Sequence, residues 1–128
     1  MTTIIDMINT SRFPSDFCNY IDVESGLRRV GGNQAIYIRL IKSYLSNKTA
    51  MQLNSEIEFG DFESAATTAH GIKGVSGNLS LIMLYETVMK LESQLKQRKA
   101  DETVKEEFFL ISEKTQEYLQ LLIKASES

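Results

Sequence analysis

The sequence predicts an all-α fold, an antiparallel up-down-up-down four-helix bundle preceded by short N-terminal helical segments. Three observations carry this. Through four long stretches, apolar residues recur at steps of three and four, the spacing of one helix face. Strand signals are absent. The stretches are joined by short polar or glycine turns, and helices so joined pack antiparallel. A single proline, Pro14, and the absence of any low-complexity linker agree with one continuous domain.

Residues 1–20 read as a helical leader and residues 21–126 as the bundle domain. Within the leader the pattern over residues 1–14 is weak, with one or two helical turns and a start near Ser15. Residues 21–32 form a short helical segment closed by Gly31-Gly32. Asn33 is a good N-cap for the next helix. Its apolar positions are Ile36, Tyr37, Leu40, Ile41, Tyr44 and Leu45, continuing through Met51, Leu53 and Ile57 to Gly60 as the residue past its end, with a bend near Asn47. Asp61 caps the third stretch, whose stripe is Phe62, Ala65, Ala66, Ala69, Ile72, Ser76 and Leu79. Asn78 tolerates left-handed geometry and helps to end it. Ser80 then caps a helix carrying Leu84, Val88, Leu91 and Leu95. After a polar turn at 97–100, Asp101 caps the last helix, with Val104, Phe108, Ile111, Thr115, Tyr118 and Leu122 on one seam.

Composition excludes several classes of function. At 128 residues and 14.5 kDa the chain is long enough to bury a core without disulfides or metal. Its net charge of −3 is spread over interspersed residues of both signs, with no basic stretch for nucleic acid. No apolar run approaches the roughly 20 residues that span a bilayer. The apolar patch Ile4-Ile5-Asp6-Met7-Ile8 is short, carries an acid and lacks a basic leader, unlike a signal peptide. Cys18 stands alone, so neither an internal disulfide nor a multi-cysteine zinc site is expected. A cytoplasmic monomer fits best, with residues 4–8 the one stretch that would support dimerisation. Met1 and the extra leader favour a separate protein over an excised domain.

His70, the only histidine, lies in the run Ala69-His70-Gly71-Ile72-Lys73-Gly74-Val75-Ser76-Gly77-Asn78. Three glycines here should weaken a helix, at about 0.5–1 kcal/mol each, yet the flanking pattern is helical. At about 100° per residue, His70 falls at one edge of the apolar stripe and is at least partly exposed. Its neighbours three, four and seven residues away are Ala66, Thr67, Lys73, Gly74 and Gly77. All but Lys73 are small. An imidazole on a face cleared of bulk, with one cation beside it, suits an incoming phosphoryl group, because such transfer depends mainly on positioning and charge. A neutral imidazole is a competent nucleophile without a separate base. Each feature alone has a plainer explanation. Lone helical histidines are mostly structural, small residues also permit close helix packing, and single lysines are usually solvated. Gly71 points away from this cluster, and phosphoryl access does not explain it. The coincidence of the remaining features on one flank is what singles out the site.

The run also resembles the histidine-phosphotransfer (HPt) domain family, whose pattern is Ala-His-x-x-Lys-Gly followed by small residues and an asparagine. Ala69, His70, Lys73, Gly74, Ser76, Gly77 and Asn78 match it. Upstream, Ile21-Asp22-Val23-Glu24, Gly26-Leu27, Arg29-Val30-Gly31-Gly32-Asn33, Tyr37 and Leu40 resemble the family's opening segment. Gly60-Asp61-Phe62 resembles the turn before its histidine helix, and Leu91-Glu92 the helix beside it. The resemblance spans about residues 21–96. It implies a bundle that takes phosphate on His70 from a receiver-domain aspartate, or directly from a sensor kinase, and passes it to another receiver. It also implies that Lys73 stabilises the phosphate, that Gly74 gives the partner clearance, and that Ser76 and Gly77, with Thr67 nearby, keep the docking surface low. Mg²⁺ would belong to the partner receiver, and no cofactor to this chain. Two departures stand out. Ser80 occupies a position that is often glycine, and Glu92 stands where several members have glutamine. A carboxylate there repels phosphate unless it pairs with Lys73, so Glu92 is either a supporting residue of the site or a solvated helix residue.

No nucleotide-binding glycine motif is present, so the chain reads as a phosphate carrier without its own ATP-dependent kinase activity. Partner docking is expected on the flank around His70, with Leu27 or Val30 adding apolar contact and Arg28 or Arg29 adding electrostatic steering. The competing reading is a helical adaptor that binds a receiver or kinase without being phosphorylated. A di-iron bundle needs paired Glu-x-x-His motifs, and Thr67 precedes the only histidine by three residues. A Ser/His/Asp hydrolase would need a nucleophile elbow, which is not visible.

Overall fold

The computed structural model describes residues 3–10 and 12–127. Among these described residues eight helices follow in order: α1 (Ile4–Ile8), α2 (Phe17–Tyr20), α3 (Val23–Arg29), α4 (Gln34–Asn47), α5 (Thr49–Glu58), α6 (Phe62–Leu79), α7 (Ile82–Lys96) and α8 (Glu102–Ser126). Among the described residues there is no strand, only an isolated antiparallel bridge between Ile21 and Leu81. α4 and α5 form the first, broken rod of an antiparallel four-helix bundle. α5 packs on α6, α6 on α7 and α7 on α8, and α4 closes the bundle against α8 and α6. The bend expected near Asn47 is a full interruption, with Lys48 in the left-handed region at φ 52°.

Local chemistry explains most helix ends. Asn33 accepts from the Ile36 amide at 3.0 Å and Asp61 from that of Ser64 at 3.1 Å, as N-caps do. α5 ends in a Schellman turn. Gly60, at φ 74°, donates to the Ile57 carbonyl and Asp61 to that of Glu56. α6 ends in the same way, but with Ser80 at the left-handed position, φ 58°. Ser80 donates to the Gly77 carbonyl, and Leu81 donates to that of Ser76 at 2.9 Å. Ser80 therefore closes α6 and does not cap α7, and Asn78 stays inside the helix. What holds a serine there is tertiary: its carbonyl accepts from the Asp22 amide at 3.0 Å and its hydroxyl donates to Ser25 Oγ at 3.0 Å. Asp101 sits at the head of α8 without a side-chain cap. Its amide donates to Gln94 Oε1 and its carboxylate accepts from Gln94 Nε2.

One core runs the length of the bundle, with Tyr37, Ile41, Leu53, Ile72, Leu84, Leu91, Phe108 and Leu119 fully buried. α4 buries Tyr37, Ile38, Ile41 and Tyr44, while the expected stripe members Ile36 and Leu40 are left in solvent. The leader joins the same core. Ile4, Phe13 and Phe17 are buried, and α1 packs on α8. α3 lies across the end of α6, close to α4. A Cβ on Gly26 would come within 2.7 Å of the Tyr37 hydroxyl, so only glycine permits this approach. The Tyr37 hydroxyl donates to the Leu79 carbonyl at 2.8 Å, tying α4 to the end of α6. Among the described residues no helix is long and apolar enough to cross a membrane.

Candidate functional site

α6 turns one face inward through Ala65, Ala69, Ile72, Ser76 and Leu79, all buried. That rotation puts His70 on the outer flank facing α7, with its side chain 67% exposed. α7 is anchored by Val88, Leu91 and Leu95, each buried, and this places Glu92 against α6. The Glu92 side chain is only 3% exposed. Its Oε2 lies 2.7 Å from His70 Nδ1, and its Oε1 lies 2.8 Å from Lys73 Nζ. Lys96, one turn further along α7, brings its Nζ to 3.8 Å from Oε2.

An ionised carboxylate can only accept hydrogen bonds, so a neutral His70 must carry its proton on Nδ1. The lone pair then sits on Nε2, which makes no hydrogen bond among the described residues, on a side chain that is mostly exposed. Burial by itself pushes the Glu92 carboxyl up. The hydrogen bonds from Lys73 and His70, with the charges of Lys73 and Lys96, outweigh it and hold the carboxyl below the usual range. The hydrogen bond to Glu92 pulls Lys73 upward, against the opposing effect of burial. The cluster is therefore a charged one: a buried carboxylate between two ammonium groups, with an imidazole hydrogen-bonded to it and open to solvent.

A groove of about 580 Å³ extends from His70 toward the end of the bundle. Its walls include Ser25 and Arg29 of α3, Gly74 and Gly77 of α6, and Tyr85 and Glu86 of α7. A Cβ at Gly74 would meet nothing within 4 Å, so internal packing does not require glycine there. Gly77 faces the Tyr85 ring, which would lie 3.4 Å from an added Cβ.

The structure brings His70, Lys73, Gly74, Gly77 and Glu92 together. Thr67 is exposed one turn before His70, with its hydroxyl donated to the Glu63 carbonyl. Ser76, on the inward stripe as its spacing implied, is fully buried with its hydroxyl donated to the Lys73 carbonyl at 3.0 Å, so it borders the groove from beneath and adds no exposed surface of its own. Of the two alternatives for Glu92, the solvated helix residue drops out, because the side chain is buried and paired with Lys73. Several expectations need correction. The Lys73 ammonium is engaged by Glu92 and does not stand free beside the ring. Leu27 is buried and Val30 packs against the core, so neither offers an open apolar contact. Of the two arginines, Arg29 faces the groove, while Arg28 pairs with Glu24 at 3.3 Å away from it. Sequence reasoning missed Tyr85 and Lys96. Each shares a face of α7 with Glu92, at seven and four residues' distance, so both were reachable once Glu92 was placed in the site. Gly71 opens onto a separate hollow of about 340 Å³ beside Leu40 and Val75, which holds no histidine, acid or amine.

Comparison with curated proteins and with solved structures returned no match. Residues 46–127 match the model of the Hpt domain, a stretch running from the end of α4 through α8 and leaving the opening segment at 21–45 outside. Since that stretch is more than half of the chain and holds His70, Lys73 and Glu92 on its two most closely packed helices, the chain belongs to the Hpt domain family, which serves phosphotransfer in two-component signalling.

Proposed function

We propose that this protein relays a phosphoryl group through His70 in a multistep two-component phosphorelay. Its donors are a receiver-domain aspartyl phosphate or a sensor kinase, and its acceptor is a second receiver aspartate. The observation that carries this reading is the exposed imidazole whose Nδ1 is held at 2.7 Å by a buried carboxylate. Hpt domains interact with receiver domains and kinases, which supplies the partner class.

In the forward step the Nε2 lone pair attacks phosphorus. The bond from phosphorus to the aspartyl oxygen breaks, and its electron pair stays on the aspartate. The ring keeps its Nδ1 proton and becomes a phosphoimidazolium. Its new positive charge lies next to Glu92, which is already ionised and positioned, so no reorganisation is needed as charge develops. Lys73 stands one turn away to meet phosphoryl oxygens. Gly74 leaves room for the partner's backbone. Mg²⁺ is supplied by the receiver. Arg29 and Tyr85 give the docking groove a cationic end and an aromatic wall. We place the protein in the cytoplasm as a monomer. Burial of Ile4 within the chain's own core supports the latter, since the leader's apolar residues are already used.

The test is transfer from a phosphorylated receiver to wild type and to His70→Gln. The expected result is an acid-labile, base-stable label on wild type and none on the variant. A variant that carries label would move the phosphoryl group to another residue, and a wild type that takes no label, or a variant that signals normally without it, would replace this reading with the adaptor.

A further inference from the structure

Lys96 has no assigned part in the chemistry, yet it approaches the Glu92 oxygen that holds His70. Glu92 Oε1 is taken by Lys73 at 2.8 Å. Glu92 Oε2 is taken by His70 Nδ1 at 2.7 Å, with Lys96 Nζ at 3.8 Å, too far for a hydrogen bond. The two cations differ in freedom. Lys73 is 26% exposed, whereas Lys96 is 64% exposed on a flexible stem with room to advance. A buried carboxylate must keep a cation, because an uncompensated buried charge is strongly unfavourable.

Resting on the phosphocarrier reading above, we propose that Lys96 is a positioning residue that takes over Glu92 when His70 is phosphorylated. A phosphoryl group on Nε2 adds a dianion one turn from Lys73 and draws that ammonium away from Glu92. Lys96 then closes onto the carboxylate and keeps it ionised against the Nδ1–H of the phosphoimidazolium. The site thus carries two cations for two anionic groups. In the resting state Lys73 serves Glu92, and in the phosphorylated state each anion has its own lysine. No bond is made or broken by Lys96, and no proton is transferred.

The test uses the whole chain phosphorylated chemically with phosphoramidate, so that it does not depend on finding the natural donor. Wild type, Lys96→Met and Lys96→Arg are compared by ¹⁵N NMR of the His70 ring and by phosphohistidine lifetime. In the resting state all three should show the same Nδ1–H tautomer, since Lys73 is the ammonium group hydrogen-bonded to Glu92 and Lys96 stands at 3.8 Å. After phosphorylation, Lys96→Met should lengthen the phosphohistidine lifetime about two- to fivefold, the scale of a partly exposed ion pair, because a less firmly ionised Glu92 holds Nδ1–H less well and leaves less of the acid-labile phosphoimidazolium, and Lys96→Arg should restore it. Equal lifetimes in wild type and Lys96→Met would overturn the proposal. So would a change in the resting tautomer, which would make Lys96 a partner of Glu92 at all times. If wild type is phosphorylated chemically but never by a receiver or kinase, the relay reading fails while the lysine exchange is still decided by the lifetimes.

Discussion

At Glu92 one carboxylate meets a ring nitrogen and two ammonium groups across two helices, and its ionisation makes a testable link between the site and stability. Its folded-state pKa lies below the usual value, so the unfolded chain binds the proton more readily. The stability it contributes is complete above the ordinary carboxylate pKa of about 4.3, and it is lost as pH falls through the lower folded value. Lys73 is raised, so its contribution is complete below the ordinary lysine pKa of about 10.4 and is lost as pH rises through the higher folded value. Glu92→Gln keeps the volume and removes the charge. Urea midpoints measured across pH should therefore show wild type losing stability more steeply than Glu92→Gln in the acid limb. Parallel acid limbs would mean that Glu92 is not the ionised anchor. The same substitution should slow phosphoryl uptake, because a neutral amide oxygen holds the developing imidazolium less well.

Within α6 the glycines separate stability from function. Gly74 and Gly71 both have open space where a Cβ would sit, and neither has a positive φ. Alanine at either position should stabilise the helix by about 0.5–1 kcal/mol. Gly74 lines the His70 groove and Gly71 does not. Gly74→Ala should therefore raise the melting temperature while slowing transfer from a receiver, and Gly71→Ala should raise it without slowing transfer. Thermal melts beside transfer kinetics decide this; equal transfer rates for the two variants would remove the clearance role of Gly74. Helix ends show where element-level reading succeeds and fails. The Schellman turn at Gly60 was legible because glycine marks the left-handed position. The equivalent turns at Ser80 and Arg98 were not, because neither residue type marks that position; Ser80 is held there by Asp22 and Ser25, and Arg98 lies over the Phe62 ring.

At the scale of the whole molecule the leader is part of the bundle. Ile4 is completely buried, Phe13 and Phe17 stack edge to face at 4.7 Å, and Asp16 accepts from the Tyr118 hydroxyl of α8 with Lys114 alongside. Ile4→Ala should cost about 2–5 kcal/mol if α1 unfolds together with the bundle. The measurement is a denaturant curve, in which the midpoint should fall with an unchanged slope. An unaltered midpoint would show that α1 detaches as a separate, weak unit. The same integration explains the groove. α3 is pressed against Tyr37 through Gly26 and held to the α6–α7 turn by Asp22 and Ser25, and this carries Arg29 to the rim near His70.

The sequence by itself determined the helices, the N-caps at Asn33 and Asp61, the inward face of α6 and the exposure of His70. All of these depend on residues within a few positions of one another, and helix geometry converts such spacings directly into faces and ends. Tertiary structure decided the rest. Glu92 lies 22 residues from His70. Whether it is a solvated acid or the buried partner of the imidazole depends on how α7 is rotated against α6, which neither helix's own periodicity specifies. The selection of Arg29 over Arg28 has the same origin. It depends on how α3 sits against α6 and α7, which is set only when the whole core packs at once.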